Sequence, residues 1–205
     1  SSHTAAARCV RYYADKFGYS KEDYAVMGHS KGSYCGLLAN EHPETLSEKQ
    51  TYAGYTDGET YGEQPFLCYD DGTPIPSNVK VSYRSMGQGN QWRTQYLDGN
   101  NAPTMLAVGV LDDSVLLFDD WYPEQEDYEA TGIEYLSILM TDVAHTYPYG
   151  IDPWYNYDRW DTFMSFLMYH LKGDEAPRLL YSSVVDGKVI GDLIVGRNDG
   201  KGGKY

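Results

Sequence analysis

The chain has 205 residues, of which 41% are hydrophobic and 22% are charged, so it is long enough to bury a substantial core and does not belong to the disordered class. Its formal net charge of −14 excludes nucleic-acid binding through a surplus of Lys and Arg and disfavours an anionic membrane surface. No apolar run in the sequence approaches the roughly 20 residues that a membrane-spanning helix needs.

The first predicted elements are a helix and a strand. Apolar residues recur at helical spacing from Thr4 to Phe17, and Gly18 stands where a C-terminal glycine cap belongs. A short apolar strand from Tyr24 to Met27 follows, and a second helix is expected to end near Asn40.

The junction between that strand and that helix reads GHSKG, a G-x-S-x-G sequence in the strand–turn–helix context of a nucleophile elbow. A serine at the tip of such a strained turn presents its hydroxyl clear of neighbours, and Gly28 and Gly32 are expected to relieve the backbone crowding. The N–H of Lys31 begins the helix and is placed to stabilise an oxyanion. The pattern predicts Ser30 as a nucleophile.

The chain is irregular from Glu44 to Asn101, apart from one strand-like run within that stretch, and it alternates strands with helices afterwards. Such alternation predicts an α/β fold with a doubly wound, mostly parallel sheet. The predicted elements are a strand with one wet face at Val79–Tyr83, a strand buried on both faces at Met105–Val110, a helix at Leu116–Thr131, a strand at Ile133–Met140 and a helix at Tyr157–Lys172.

The character of the sequence changes after Gly173. Two apolar runs, Leu179–Val185 and Lys188–Val195, flank Asp186-Gly187, which is a strong hairpin signal, and a Gly-rich tail follows. We therefore expect a catalytic domain over residues 1–173 and a β-hairpin extension with a tail over residues 174–205.

An activated serine requires a base, and the base requires an acid that orients it. In a parallel sheet both are expected just past the C-terminal ends of later strands. Asp112 and Asp113 follow one predicted strand and His145 follows the next, in the chain order Ser…Asp…His. Either aspartate could instead cap a helix, and His145 could bond backbone in a loop.

On these motifs the chain resembles α/β-hydrolases of the esterase/dienelactone-hydrolase type, close to acetylxylan-esterase-like carbohydrate esterases. The resemblance covers roughly residues 4–173 and rests on AVMGHSKG, PTMLAVGVLDDSV, DVAHTYPYG and DRWDTFMSFLMYHLKG. It implies that Ser30 is the nucleophile, that His145 is the general base and then acid, and that Asp112 orients the imidazole. Asp112 is preferred over Asp113 because the family pattern G-x-x-D-x-x-V places it there.

The chain departs from the family at its start. Several strands and the loop with the second oxyanion donor precede the elbow in these hydrolases, whereas 29 residues precede Ser30 here. We therefore expect that only the C-terminal part of the fold is present, and that a missing N-terminal segment or a companion chain completes the sheet.

The expected substrate is a small-molecule or carbohydrate ester, and no metal or organic cofactor is implied. Aromatic and polar residues near the motifs are assigned to substrate binding, namely His29, Trp92, Tyr147 and Trp154. The 21 tyrosines and 4 tryptophans are typical of secreted carbohydrate-active proteins and predict an extracellular or periplasmic location. Two alternatives stay open: a non-catalytic binding module of a larger protein, and a peptidase or lipase on the same scaffold.

Overall fold

A computed structural model describes residues 2–30, 32–33, 68–76, 78–87, 97, 101–140, 143–145, 156–173, 183–185, 188–190 and 192–198. Its elements in chain order are α1 (Ser2–Tyr12), α2 (Ala14–Phe17), β1 (Ala25–His29), β2 (Val81–Ser85), β3 (Thr104–Gly109), a π-helix (Leu117–Trp121), α3 (Tyr122–Thr131), β4 (Tyr135–Met140), α4 (Asn156–Lys172), β5 (Ser183–Val185), β6 (Lys188–Ile190) and β7 (Asp192–Asn198).

The main sheet has the strand order β1-β2-β3-β4-β7. Strands β1 to β4 run parallel to one another, and β7 runs antiparallel to its neighbour β4. The C-terminal ends of β1 to β4 therefore lie along one edge of the sheet, which is where a parallel α/β sheet places its functional residues. The predicted mostly parallel α/β sheet is confirmed.

Apolar side chains pack on both faces of this sheet. On one face Met105 and Leu136 join the larger core cluster, to which α4 contributes Phe166 and Leu167. On the other face Leu106 and Tyr135 pack with Tyr128 of α3. Helices on opposite faces explain why β3 is buried along its whole length and is apolar after Thr104, because neither of its faces reaches water.

Strand β2 departs from the prediction of one wet face. All five of its residues are buried, including the polar Ser82 and Arg84. The Arg84 guanidinium forms a buried ion pair with Glu124 of α3. The polar residues Ser82 and Arg84 of β2 therefore lie in the interior, and the Arg84 charge has a buried partner that is distant in the sequence.

The segment after β3 is also less regular than a single helix. It begins as the π-helix and continues as α3, which ends at Gly132 with a left-handed φ of 72°. Asp120 is buried, and its Oδ2 accepts a hydrogen bond from the Leu116 N–H at 2.9 Å. That carboxylate caps the start of the π-helix.

The predicted hairpin after Gly173 is present as the antiparallel pair β5 and β6. The apolar run after the turn is divided, however, because its second half forms β7 and pairs with β4 from Tyr135 to Met140. The segment after residue 173 thus contributes a strand to the main sheet and is not only an appended hairpin.

Asp23, two residues before β1, joins the starts of two strands to the end of a helix. Its carboxylate accepts hydrogen bonds from Lys80 and from Lys172, each at 2.6 Å. The hydrogen bonds from Lys172 and Lys80 hold the pKa of Asp23 well below its usual value, and a hydrogen bond with Ser20 has a smaller effect in the same direction. The carboxylate therefore stays charged in the folded chain at pH values that protonate it in the unfolded chain.

We expect Asp23→Asn to lower the thermal unfolding temperature at pH 7. Because the folded-state pKa is depressed, the stabilisation is present above the unfolded pKa of about 4 and is lost as the pH falls below it. The difference between wild type and variant should therefore shrink progressively between about pH 4 and pH 2, as measured by thermal scans. Asp15→Asn, which removes a pair between exposed residues six positions apart, is the control. An effect of Asp23→Asn that does not change with pH would contradict the prediction.

Candidate active site

Ser30 occupies the sharp turn that ends β1. Its φ of 52° lies in the left-handed region, which is strained for a residue with a side chain. The Ser30 N–H donates to the Ser85 carbonyl at 2.9 Å, and the Ser30 carbonyl accepts from the Ser33 N–H at 3.0 Å. Two backbone hydrogen bonds thus hold the strained residue between the end of β2 and the helical residues that follow the turn.

Close approach of the backbone explains one glycine of the G-x-S-x-G sequence. A β-carbon at Gly28 would lie 2.2 Å from the Gly32 carbonyl oxygen, which is far inside any allowed contact. A β-carbon at Gly32 would have no atom of the described residues within 4 Å. The sequence-based expectation that both glycines relieve crowding is therefore supported by the contacts of Gly28 alone.

Three side chains from three strand ends meet at this edge of the sheet. His145 Nε2 lies 2.8 Å from Ser30 Oγ, and His145 Nδ1 lies 2.9 Å from Asp112 Oδ2 and 3.0 Å from Oδ1. The Asp112 side chain is fully buried, whereas 23% of the His145 side chain is exposed. The structure therefore joins the serine, the histidine and the aspartate in one continuous chain of hydrogen bonds.

The carboxylate of Asp112 is oriented by its own loop. Its Oδ1 accepts hydrogen bonds from the Ser114 N–H at 2.8 Å and the Val115 N–H at 2.9 Å. Asp113 is exposed, and its Oδ1 contacts the Ser114 hydroxyl at 3.3 Å. Of the two aspartates that the sequence left open, Asp112 is the one in contact with the imidazole.

The loop that carries His145 is docked against the end of β3. The Leu111 N–H donates to the Val143 carbonyl at 3.0 Å, and a β-carbon at Gly109 would lie 2.0 Å from that same oxygen. Only glycine allows this contact without a backbone shift. Gly109 thus brings the aspartate loop and the histidine loop together, a role that the sequence pattern did not reveal.

His29, assigned to substrate binding from the sequence, lies inside the site against a second imidazole. Its ring centroid is 5.3 Å from that of His145, with 40° between the planes. His29 Nδ1 lies 3.2 Å from Ser85 Oγ, at hydrogen-bond distance. Burial lowers the pKa of His29, the nearby His145 lowers it further, and Asp112 raises it to a smaller extent.

The residues that follow β2 pack against the elbow, and the sequence analysis did not predict this contact. Met86 is fully buried with a left-handed φ of 49°, and its N–H donates to the Ala107 carbonyl at 2.7 Å. A β-carbon at the next residue, Gly87, would lie 1.9 Å from the Ser33 hydroxyl oxygen and 3.2 Å from Arg84. The left-handed φ of Met86 and the close packing at Gly87 mark this role in the structure. Neither feature can be read from a hydrophobic pattern in the sequence.

Four residues assigned from the sequence lie outside the described residues, namely Lys31, Trp92, Tyr147 and Trp154. Their roles stay predictions. Within the described ranges, no group of three or more His, Cys, Asp or Glu side chains is arranged to hold a metal ion. Among the helices of those same ranges, none combines the length and the apolar character needed to cross a membrane.

No protein-family model matches the chain, and no curated protein matches it either. Solved structures match its fold. The apo form of Thermogutta terrifontis esterase 2 gives a TM-score of 0.61 at 14% identity, over 86% of this chain and 65% of that one. A truncated carbohydrate esterase from gut microbiota gives 0.53 at 14% identity, over 70% and 59%. An acetyl ester-xyloside bifunctional hydrolase from Caldicellulosiruptor lactoaceticus gives 0.50 at 13% identity, over 70% and 55%.

These matches, together with the four parallel strands and the helices on both faces, show that the chain has an α/β-hydrolase fold. The chain spans less than two thirds of the length of each of these solved structures.

Proposed function

We propose that the chain is a serine hydrolase that cleaves carboxylic esters through an acyl-serine intermediate. The observation that carries the proposal is the hydrogen-bond chain from Ser30 through His145 to the buried Asp112. The same three residues stand past the ends of β1, β3 and β4, and the fold is one that solved esterases share. Shared fold alone does not specify a reaction, so the site geometry has the greater weight.

The geometry suits a two-step acyl transfer. Ser30 Oγ attacks the ester carbonyl carbon while His145 Nε2 takes its proton, and the same proton then goes to the leaving alcohol. Asp112 accepts the Nδ1–H bond and stabilises the imidazolium that forms between the two transfers. Water then attacks the acyl carbon and gives a proton to Nε2, and Nε2 returns that proton to Ser30 Oγ as the carbon–Oγ bond breaks and the acid leaves. The expected oxyanion donor is the Lys31 N–H at the start of the helix after the elbow.

The proposed substrate is a small acyl group, in the first place acetyl, on a carbohydrate. Two of the solved structures with this fold are described as a carbohydrate esterase and as an acetyl ester-xyloside hydrolase, and a third structure is of Thermogutta terrifontis esterase 2 with butyrate bound. The aromatic residues predicted to bind substrate suit a sugar ring, because apolar sugar faces stack on aromatic side chains. The extracellular or periplasmic location and the companion segment stay predictions.

The test is covalent labelling of Ser30 by paraoxon, which is known to phosphorylate Thermogutta terrifontis esterase 2. We expect one diethyl phosphate per chain, located on Ser30 by peptide mass spectrometry, and no adduct in Ser30→Ala. Release of nitrophenol from p-nitrophenyl acetate should disappear in the same variant.

A folded chain that neither takes the label nor cleaves p-nitrophenyl acetate would refute the proposal and favour a non-catalytic binding module. Labelling without cleavage of short esters, but with cleavage of a long-chain ester or a peptide, would instead point to a lipase or a peptidase.

A further inference from the structure

The imidazole of His145 has two hydrogen-bonding partners in the resting site, one at each ring nitrogen. Asp112 accepts the bond at Nδ1, and the Ser30 hydroxyl lies at Nε2. If Ser30 becomes acylated, as the proposed function requires, its Oγ turns into an ester oxygen that has no proton to donate. The ring then keeps only its bond to Asp112, at the moment when Nε2 has to receive a proton from water.

A third contact does not depend on the state of Ser30. The ring of His29 lies against that of His145 at 5.3 Å between centroids, tilted by 40°. Rings in contact at this separation pack against each other, and such packing restricts the tilt of a ring plane. The hydrogen bonds at Nδ1 and Nε2 lie close to one line across the ring. They therefore restrict rotation of the ring plane about that line less than any other motion of the ring.

His29 is itself held firmly. It belongs to β1, which pairs with β2 along its whole length, and its Nδ1 lies 3.2 Å from the hydroxyl of the fully buried Ser85. A side chain fixed by a strand and by a neighbouring strand's hydroxyl can serve as a rigid support, which a loop residue could not.

We propose that His29 is a positioning residue that keeps the His145 imidazole in its productive orientation during deacylation, an inference that rests on the proposed ester-hydrolase function. The support is strongest when His29 is neutral, since a second cation would repel the imidazolium. Burial and the neighbouring His145 both lower the pKa of His29, and Asp112 opposes them only in part. Among the described residues, these are the titratable groups that act on it.

The test separates acylation from deacylation with p-nitrophenyl acetate in a stopped-flow instrument. His29→Ala removes the ring and the bond to Ser85, whereas His29→Phe keeps the ring alone. In His29→Ala we expect the deacylation rate constant to fall by about 10-fold or more and the acylation rate constant by less than about 3-fold, so that KM falls as well. His29→Phe should restore deacylation to within about 3-fold of wild type.

The matched control is His170→Phe. That histidine pairs with Glu134 before the start of β4, so it lies at the opposite edge of the sheet, and both rate constants should stay unchanged. Rate constants do not depend on the folded fraction, and the burst amplitude reports how much enzyme is active.

Equal loss in the two steps, wild-type rates in His29→Ala, or a His29→Phe variant as slow as His29→Ala would each overturn the positioning role. The proposed function fails in a different way: the wild-type chain would then show neither a burst nor a paraoxon adduct.

Discussion

Replacing Asp112 by asparagine is expected to lower kcat for ester hydrolysis by about 10³- to 10⁴-fold while the chain still folds. The fold should survive because an asparagine oxygen can still accept the Ser114 and Val115 N–H bonds that Asp112 Oδ1 accepts now. The amide nitrogen would then take the place of Oδ2 and donate to His145 Nδ1. That bond selects the tautomer with its proton on Nε2, which cannot take the proton of Ser30.

The control is Asp113→Asn, which changes the adjacent and exposed carboxylate by the same atoms. Its kcat should stay within about 2-fold of wild type, because Asp113 contacts the neighbouring Ser114 hydroxyl and not the imidazole, and exposed substitutions of this kind have small effects. Steady-state kinetics with p-nitrophenyl acetate and thermal unfolding of both variants check the prediction. If Asp113→Asn were the inactive variant, Asp112 would not be the orienting acid.

Substituting alanine for Gly28 is expected to displace the elbow and to reduce kcat/KM by about 100-fold or more. The added carbon would lie 2.2 Å from the carbonyl oxygen of Gly32 and 2.6 Å from the Ser33 α-carbon, both of them backbone atoms that cannot move aside alone. Overpacking of this kind typically costs about 1–3 kcal/mol of folding free energy. We therefore expect both a lower unfolding temperature and a weaker reaction with paraoxon.

The matched control, Gly32→Ala, changes the other glycine of the same pentapeptide. No described atom lies within 4 Å of its added carbon, and residue 32 is helical, where alanine is favoured over glycine by about 1 kcal/mol. It should keep activity within about 3-fold and unfold at the same or a higher temperature. Equal damage from the two substitutions would show that the crowding at Gly28 is not what shapes the elbow.

The convergence of Ser30, Asp112 and His145 could be anticipated because each follows a strand that is readable as a short apolar run. Parallel strands bring their C-terminal ends to one edge, so chain order alone predicts that residues over a hundred positions apart will meet. The choice between Asp112 and Asp113 needed a family pattern, since two adjacent carboxylates look alike until backbone N–H groups select one of them.

Other features depend on partners that local patterns do not specify. Arg84 and Glu124 lie 40 positions apart and form a buried ion pair. The polar residues of β2 therefore suggest a solvent-exposed face, although the whole strand is buried. The contact of His29 with His145 depends on a ring orientation that no periodicity encodes. β7 pairs antiparallel with β4, a strand more than 50 positions earlier in the chain, and the hairpin signal before β7 does not specify that partner.

The pairing of β4 with β7 also bears on how the chain folds. The strand that leads to His145 has one neighbour, β3, close in sequence, and another, β7, that becomes available only after the chain from Met140 to Asp192 has been closed into a loop. Closing a long loop costs entropy before any pairing compensates for it, so β7 is expected to dock late. Until it does, apolar β4 has an open edge that can pair with another molecule. Refolding yield should therefore fall as protein concentration rises.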